Sequence, residues 1–200
     1  MSNEKDSTPK DFCGLFGIYG NPEAADLTFL GLYALQHRGE EAAGIVTSNN
    51  RRLVAHVSPG LVSEVFSGPI LETIKGDMSI GHVRYSTTGS SNSKNCQPMM
   101  VSIRGQQVAV AHNGNITNAP TLRKALDNSG AIFQTSMDSE LLIHLLAKCD
   151  DEKFVDALCE SVIQLKGAFC LLVQTKDTIY AIRDPNGFRP FSLGKLWGSY

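Results

Sequence analysis

No apolar run in this chain approaches the roughly 20 residues that a helix needs to cross a bilayer. Its first twelve residues, "MSNEKDSTPKDF", lack the hydrophobic stretch of a secretory signal and carry too many acids for a transit peptide. Basic residues are not in excess: 18 Lys and Arg stand against 20 Asp and Glu, a net charge of −2. No basic stripe with interleaved aromatics marks a nucleic-acid surface. The expectation is a cytoplasmic protein with neither membrane nor nucleic acid among its partners. Cysteine is sparse and odd in number: Cys13, Cys96, Cys149, Cys159 and Cys170, with no CxxC pair, so neither a disulfide framework nor a zinc site is indicated. His37, His56, His82, His112 and His144 have no metal-ligand spacing and read as structural. Repeats, low-complexity tracts and a clear linker are missing too. With 42% apolar content, 200 residues make one domain, or one domain with an appendage.

What is present is a series of short strands in pairs. "CGLFGIYG" is apolar and glycine-bounded, as a buried strand is. Asn21-Pro22 reads as the start of a helix that Gly39 closes. "AAGIVTS" and "RLVAHVS" form a hairpin, and a shorter helical or irregular piece covers 61–75. The strand "MSIGHVRY" leads into the polar "STTGSSNSKNCQP". "MMVSIR" and "QVAVAHNG" form a second hairpin, joined at Gly105-Gln106. Asn118 and Pro120 open a helix ended by Gly130; helical patterns follow over 135–148 and 151–165. "AFCLLVQT" and "TIYAIRD" make a third hairpin. Strands in hairpins with helices in separate blocks argue for antiparallel sheet with layered helices, not βαβ units. Cys149, Cys159 and Cys170 lie in apolar runs and read as core, while Cys96 reads as a loop thiol.

Several residues have a chemical reading beside a plain one. Cys13, directly before Gly14, is either a buried cysteine opening a strand or a nucleophile. If the chain were cut before it, its own α-amine (reference pKa about 7.7–8.0) would serve as base. Asn113-Gly114 is either a turn or a pair of oxyanion donors, the amide side chain and the glycine N–H. Arg84, ending an apolar strand, is either an edge arginine paired with a surface acid or a bidentate clamp on a carboxylate, helped by Thr87. Asp138 either caps a helix, with Thr135 in a capping box, or binds an ammonium group. Arg38 and Gly39 end the first helix. "RDPNGFRP" is a turn with no chemistry assigned.

The order of these motifs is more telling than any one of them. Cys13-Gly-Leu-Phe-Gly, Gln36-His-Arg-Gly-Glu, Gly81-His-Val-Arg-Tyr-Ser-Thr, His112-Asn-Gly-Asn and Asp138-Ser-Glu together resemble the class II glutamine amidotransferases, a family of N-terminal-nucleophile hydrolases. "LQHRGEEAAGI", "GHVRYSTTG" and "DPNGFRPFSLG" look most like the branch that aminates phosphoribosylpyrophosphate at the start of purine synthesis.

The resemblance implies an α+β fold, a four-layer αββα sandwich. It implies a propeptide, residues 1–12, whose removal exposes Cys13, and a glutaminase domain over 13–200. Cys13 would then be the nucleophile and Asn113 and Gly114 the oxyanion hole. Arg84, Thr87 and Asp138 would hold the two charged ends of L-glutamine. Arg38 and Gly39 would support the cysteine and the substrate, and 85–89 would fold over it. No metal enters this half-reaction. The phosphoribosyltransferase half has no motif here, so phosphoribosylpyrophosphate, Mg²⁺, the 4Fe-4S cluster of one branch, and homo-oligomer formation would belong to a longer protein. Two other readings stand beside the enzyme: a non-catalytic glutamine-binding module, and an N-terminal-cysteine amidase for another substrate. A pair of opposite charges at Arg84 and Asp138 argues against the latter.

Overall fold

The computed structural model describes residues 13–49, 51–85, 93–150 and 153–200. Among these residues eight strands form two four-stranded sheets, and every pairing is antiparallel. The first sheet has the order β1-β4-β2-β3, from β1 (Gly14–Tyr19), β2 (Ala42–Ser48), β3 (Leu53–Pro59) and β4 (Met78–Arg84). The second runs β5-β6-β7-β8, from β5 (Met99–Ile103), β6 (Gln106–Ile116), β7 (Gly167–Gln174) and β8 (Ile179–Arg183).

Three apolar clusters define the layers. Ala25, Leu32, Ile45, Val62 and Val83 pack α1 (Ala24–Ala34) and α2 (Val62–Val65) on the outer face of the first sheet. Val46, Ile80, Ala109, Ala111 and Leu172 fill the space between the sheets. Val108, Val110, Leu141, Leu145, Leu158 and Phe169 pack α4 (Ala119–Asn128), α5 (Ser139–Lys148) and α6 (Phe154–Val162) on the outer face of the second. The short α3 (Gly68–Thr73) completes the helical set. Strand alternation sends successive side chains to opposite faces, so each sheet contributes to two apolar layers. The result is the expected αββα sandwich.

Several local expectations are revised. The first helix begins at Ala24, later than Asn21-Pro22; Asn21 instead accepts the Glu23 N–H on its side chain at 2.9 Å. It ends at Ala34 and continues as a 3₁₀ turn over Gln36–Arg38, so Gly39 does not close it. The second hairpin turns at Arg104-Gly105, both with positive φ (50° and 79°), which fits the twist of a two-residue turn. Asp138 makes no capping bond with its side chain. The Gln134 and Thr135 amides donate to Glu140 instead, at 2.8 and 2.9 Å. Of the three cysteines assigned to the core, Cys170 is buried, Cys149 half-buried and Cys159 exposed. On α6 the buried residues are Ala157, Leu158 and Ser161, which leaves Cys159 on the outward face. Cys96 does lie in a loop, yet it is buried.

Candidate active site

The first sheet brings four of the expected residues to one end. On β1, Leu15 packs between the sheets and Phe16 toward α1, so Cys13 falls on the inner face by alternation. On β4, Ile80 is internal and Val83 external, which puts His82 and Arg84 on the same inner face. Gly14 pairs with Val83, so the start of β1 lies beside the end of β4. Cys13 Sγ is 3.9 Å from the Tyr85 carbonyl, and the Cys13 carbonyl accepts from Arg38 Nε at 3.2 Å. Gly39 is extended (φ −166°) and lies flat on the Arg84 backbone, where a Cβ would come within 2.7 Å of the carbonyl carbon. Its role is close approach.

Arg84 is not on an edge strand, since β4 runs between β1 and β2. Its side chain is only 14% exposed. The Glu41 amide donates to the Arg84 carbonyl at 3.1 Å, and the Glu41 carboxylate sits 3.7 Å from Arg84 Nε. Glu41 therefore fixes both the backbone and the charge of Arg84. Among the described residues, the terminal nitrogens of the guanidinium make no hydrogen bond, so the fork is open to a carboxylate.

The second sheet supplies the rest. β5 pairs with β6 only as far as Met99–Val110, while β6 runs on to Ile116. Phe169 turns its N–H and C=O to Asp184, at 3.3 and 2.9 Å, so it offers neither to β6. By alternation, Asn113 and Asn115 bond to β7, whereas His112, Gly114 and Ile116 direct their backbone groups to the side that β5 has left. At His112 that side is occupied: the N–H donates to Gln97 Oε1 at 2.8 Å, and the C=O accepts from His82 Nε2 at 3.1 Å. At Ile116 the N–H donates to Asp138 Oδ2 at 3.1 Å. Between them, the Gly114 N–H meets no acceptor among the described residues. Gly114 has φ +138°, and a Cβ there would come within 2.1 Å of the Ala168 carbonyl oxygen, so only glycine fits. Asn113 projects between the sheets with Ala109 and Ala111, and its Oδ1 is buried with no hydrogen-bond partner among the described residues.

Electrostatics set the protonation states. Burial raises the Asp138 carboxyl above its ordinary value, against the pull of the Ile116 N–H and of Arg123. Burial also drives His82 down to about 3, aided by His112 and Arg84, so its ring is neutral. A carbonyl only accepts, which places the His82 proton on Nε2, facing His112. That bond ties the strand carrying Arg84 to the strand carrying Asn113 and Gly114.

Cys13, Arg38, Gly39 and Arg84 are thus gathered at one end of the first sheet, and Asp138 lies beside Asn113 and Gly114 of the second. Thr87 and 86–89 lie outside the described residues, as do 1–12. Glu41 and Gln97 were missed in the sequence: Glu41 stands within "LQHRGEEAAGI" with no role assigned to it, and Gln97 carries no motif signal. His82 had one: it shares a strand face with Arg84 at a spacing of two. A separate groove of about 240 Å³ between α4, α5 and α6 contains none of these residues.

The chain is similar to known proteins in both sequence and fold. Residues 82–199 match the model of the glutamine amidotransferase domain. The chain is 45% identical over 195 residues to amidophosphoribosyltransferase 1 of Arabidopsis thaliana, a chloroplastic protein, covering 97% of this chain and 34% of that one. It is 44% identical over 189 residues to the amidophosphoribosyltransferase of Bacillus subtilis, covering 94% and 40%. The solved glutamine phosphoribosylpyrophosphate amidotransferase of B. subtilis, complexed with ADP and GMP, superposes with a TM-score of 0.88 at 43% identity, covering 93% of this chain and 40% of that one. A structure described as the allosteric regulatory enzyme of purine biosynthesis gives 0.90 at 43% identity, with the same coverage. The chain spans 34–40% of the length of these relatives. With more than half of its residues matching that domain model, the chain belongs to the glutamine amidotransferase domain family.

Proposed function

We propose that this chain is the glutaminase part of an amidophosphoribosyltransferase, releasing ammonia from L-glutamine through a cysteinyl thioester. The observation that carries the reading is the unfilled Gly114 N–H on the edge of β6, flanked by the occupied groups of His112 and Ile116.

Removal of residues 1–12 converts the Cys13 nitrogen from an amide to an amine, which is basic enough to accept the thiol proton near neutral pH. The Arg84 fork takes the α-carboxylate of glutamine, with Thr87 assisting, and Asp138 takes its α-ammonium. Arg38 holds the Cys13 carbonyl, and Gly39 lets that segment lie against Arg84. The thiolate attacks the side-chain amide carbon. The C=O π pair moves onto oxygen, which Asn113 and the Gly114 N–H stabilise. The tetrahedral species collapses, the Cys13 ammonium protonates the departing nitrogen, and ammonia leaves. Water, deprotonated by the same amine, then cleaves the thioester to glutamate and free Cys13.

In the longer protein the ammonia would displace pyrophosphate from phosphoribosylpyrophosphate, giving 5-phosphoribosylamine, the first step of de novo purine synthesis. The homo-oligomer, the Mg²⁺ requirement and any 4Fe-4S cluster are assigned to that longer protein, and its compartment to the cytoplasm. Among the described residues no three His, Cys, Asp or Glu side chains are grouped to hold a metal ion.

The test joins intact mass to activity. A chain beginning at Cys13 should hydrolyse glutamine, and Cys13→Ala should neither mature nor hydrolyse it. Appreciable glutaminase activity in that variant would overturn the assignment.

A further inference from the structure

We infer that Gln97 and His82 form a clamp on the backbone of His112 that positions the Asn113 and Gly114 donors; neither is itself a catalytic residue. The inference rests on the function proposed above and adds to it two residues for the same site.

The need for a clamp comes from the sheet. A strand in an antiparallel sheet is held on both sides by ladder hydrogen bonds. β6 loses one of those sides after Val110, where β5 begins, yet its catalytic residues come only three and four positions later. An oxyanion donor loses most of its value when misplaced by about an ångström. Something other than a strand must therefore fix the edge of β6 just before Asn113.

Two side chains do so at one residue. Gln97, 6% exposed, accepts the His112 N–H at 2.8 Å, in the position a β5 carbonyl would have held. His82, fully buried, donates Nε2–H to the His112 carbonyl at 3.1 Å, in the position of a β5 amide. Both bonds are shielded from water, so losing either partner leaves a buried backbone group unpaired. Side chains also replace the strand while leaving the Gly114 N–H uncovered. Had β5 continued, it would have capped that amide. His82 adds a second constraint, because it shares the inner face of β4 with Arg84. The clamp therefore fixes the distance from the carboxylate-binding fork to the oxyanion donors.

The experiment uses the full chain, matured to begin at Cys13, with Gln97→Leu and His82→Leu to break each bond. Gln97→Glu retains an acceptor, and His82→Gln retains a donor. Three readings are compared: kcat and KM for glutamine, alkylation of Cys13 by iodoacetamide, and inhibition by L-glutamate γ-semialdehyde. The semialdehyde adds Cys13 sulfur to its carbonyl carbon and sends the carbonyl electron pair to oxygen in the same donor pair. Alkylation displaces iodide and uses no such donors. Positioning predicts that the leucine variants lose about 10–100-fold in kcat and a similar factor in semialdehyde affinity. KM and alkylation should stay within about threefold, and Gln97→Glu and His82→Gln should recover most of the rate. Unchanged kcat, or equal losses in KM, alkylation and kcat, would overturn the clamp. If the unaltered protein fails to hydrolyse glutamine, the functional reading falls. The clamp is then judged by hydrogen exchange alone: at least tenfold faster exchange over 112–116 in Gln97→Leu upholds it, and unchanged exchange rejects it.

Discussion

Gly114 and Phe169 face each other across β6 and β7 and exchange no hydrogen bond, because Asp184 takes both backbone groups of Phe169. The amide of Gly114 is consequently directed away from β7, to the side that β5 has left. A loop after β8 thus helps decide which way the Gly114 amide points. The site is a property of how the second sheet ends, and not of the Asn-Gly pair by itself.

Gly114→Ala should therefore fail on two counts. At φ +138° an alanine is strained, and its Cβ would lie 2.1 Å from the Ala168 carbonyl oxygen and 2.7 Å from Phe169 Cα. Strain and the required strand displacement should cost about 2–4 kcal/mol of stability. Urea denaturation gives that figure, and a glutaminase assay should find activity lost even at temperatures where the variant is folded. A variant with full stability would mean that β7 yields easily here.

Asp184 gives a prediction in pH. Its desolvation alone would raise its pKa, but N–H donors from Phe188, Asn186, Phe169 and Gly187 win, and the value is lowered. A carboxylate lowered on folding contributes stability in full above its unfolded value, near 3.9, and loses it as pH falls through the lower folded value. Asp184→Asn should therefore melt below the unaltered protein at pH 7, and the gap should narrow below pH 4. A gap independent of pH down to 2 would mean that Asp184 acts by shape alone.

The sequence carried the architecture better than it carried the site's supports. The hairpins at 42–59, 99–116 and 167–183 were legible, because alternation and turn residues are local signals. So were Cys13, Arg84, Asn113-Gly114 and Asp138 as candidates, since each stood in a compact motif. Helix ends were less legible. Gly39 looks like a helix terminator until β4 is found lying against it, and Asp138 looks like a cap until β6 offers it the Ile116 amide. Glu41 and Gln97 act on residues 43 and 15 positions away, through contacts that exist only after the sheets pair. Such long-range partners leave no periodicity in the chain. Cys159 was misread for a related reason: an apolar run on a helix includes an outward face.

Asp138→Asn separates binding from structure. An asparagine oxygen can still accept the Ile116 N–H, so the melting temperature should change by less than about 3 °C. Loss of the charge removes the ammonium partner, and KM for glutamine should rise roughly 10–100-fold, the worth of a charge-assisted hydrogen bond. Because burial raises this carboxyl, glutamine binding in the unaltered protein should begin to fail at a pH above the ordinary carboxylate value as the pH is lowered. That acid limb should be missing in Asp138→Asn. A collapsed melting temperature with KM unchanged would limit Asp138 to a structural role, holding the Ile116 amide.

His82 should govern acid stability at milder pH than any carboxylate. Its pKa falls from 6.5 to about 3 on folding, chiefly through burial, with smaller contributions from His112 and Arg84. Between those values the unfolded chain binds a proton that the folded chain refuses, so stability is complete above pH 6.5 and declines as pH drops. From pH 6.5 to 4.5 the decline from this group should be about 2–3 kcal/mol. His82→Gln has nothing to protonate there. Urea unfolding at the two pH values should show a shallower fall for His82→Gln than for the unaltered protein. Equal slopes would mean that the His82 ring takes up its proton without leaving the His112 carbonyl, and that the pocket between the sheets is wetter than its burial indicates.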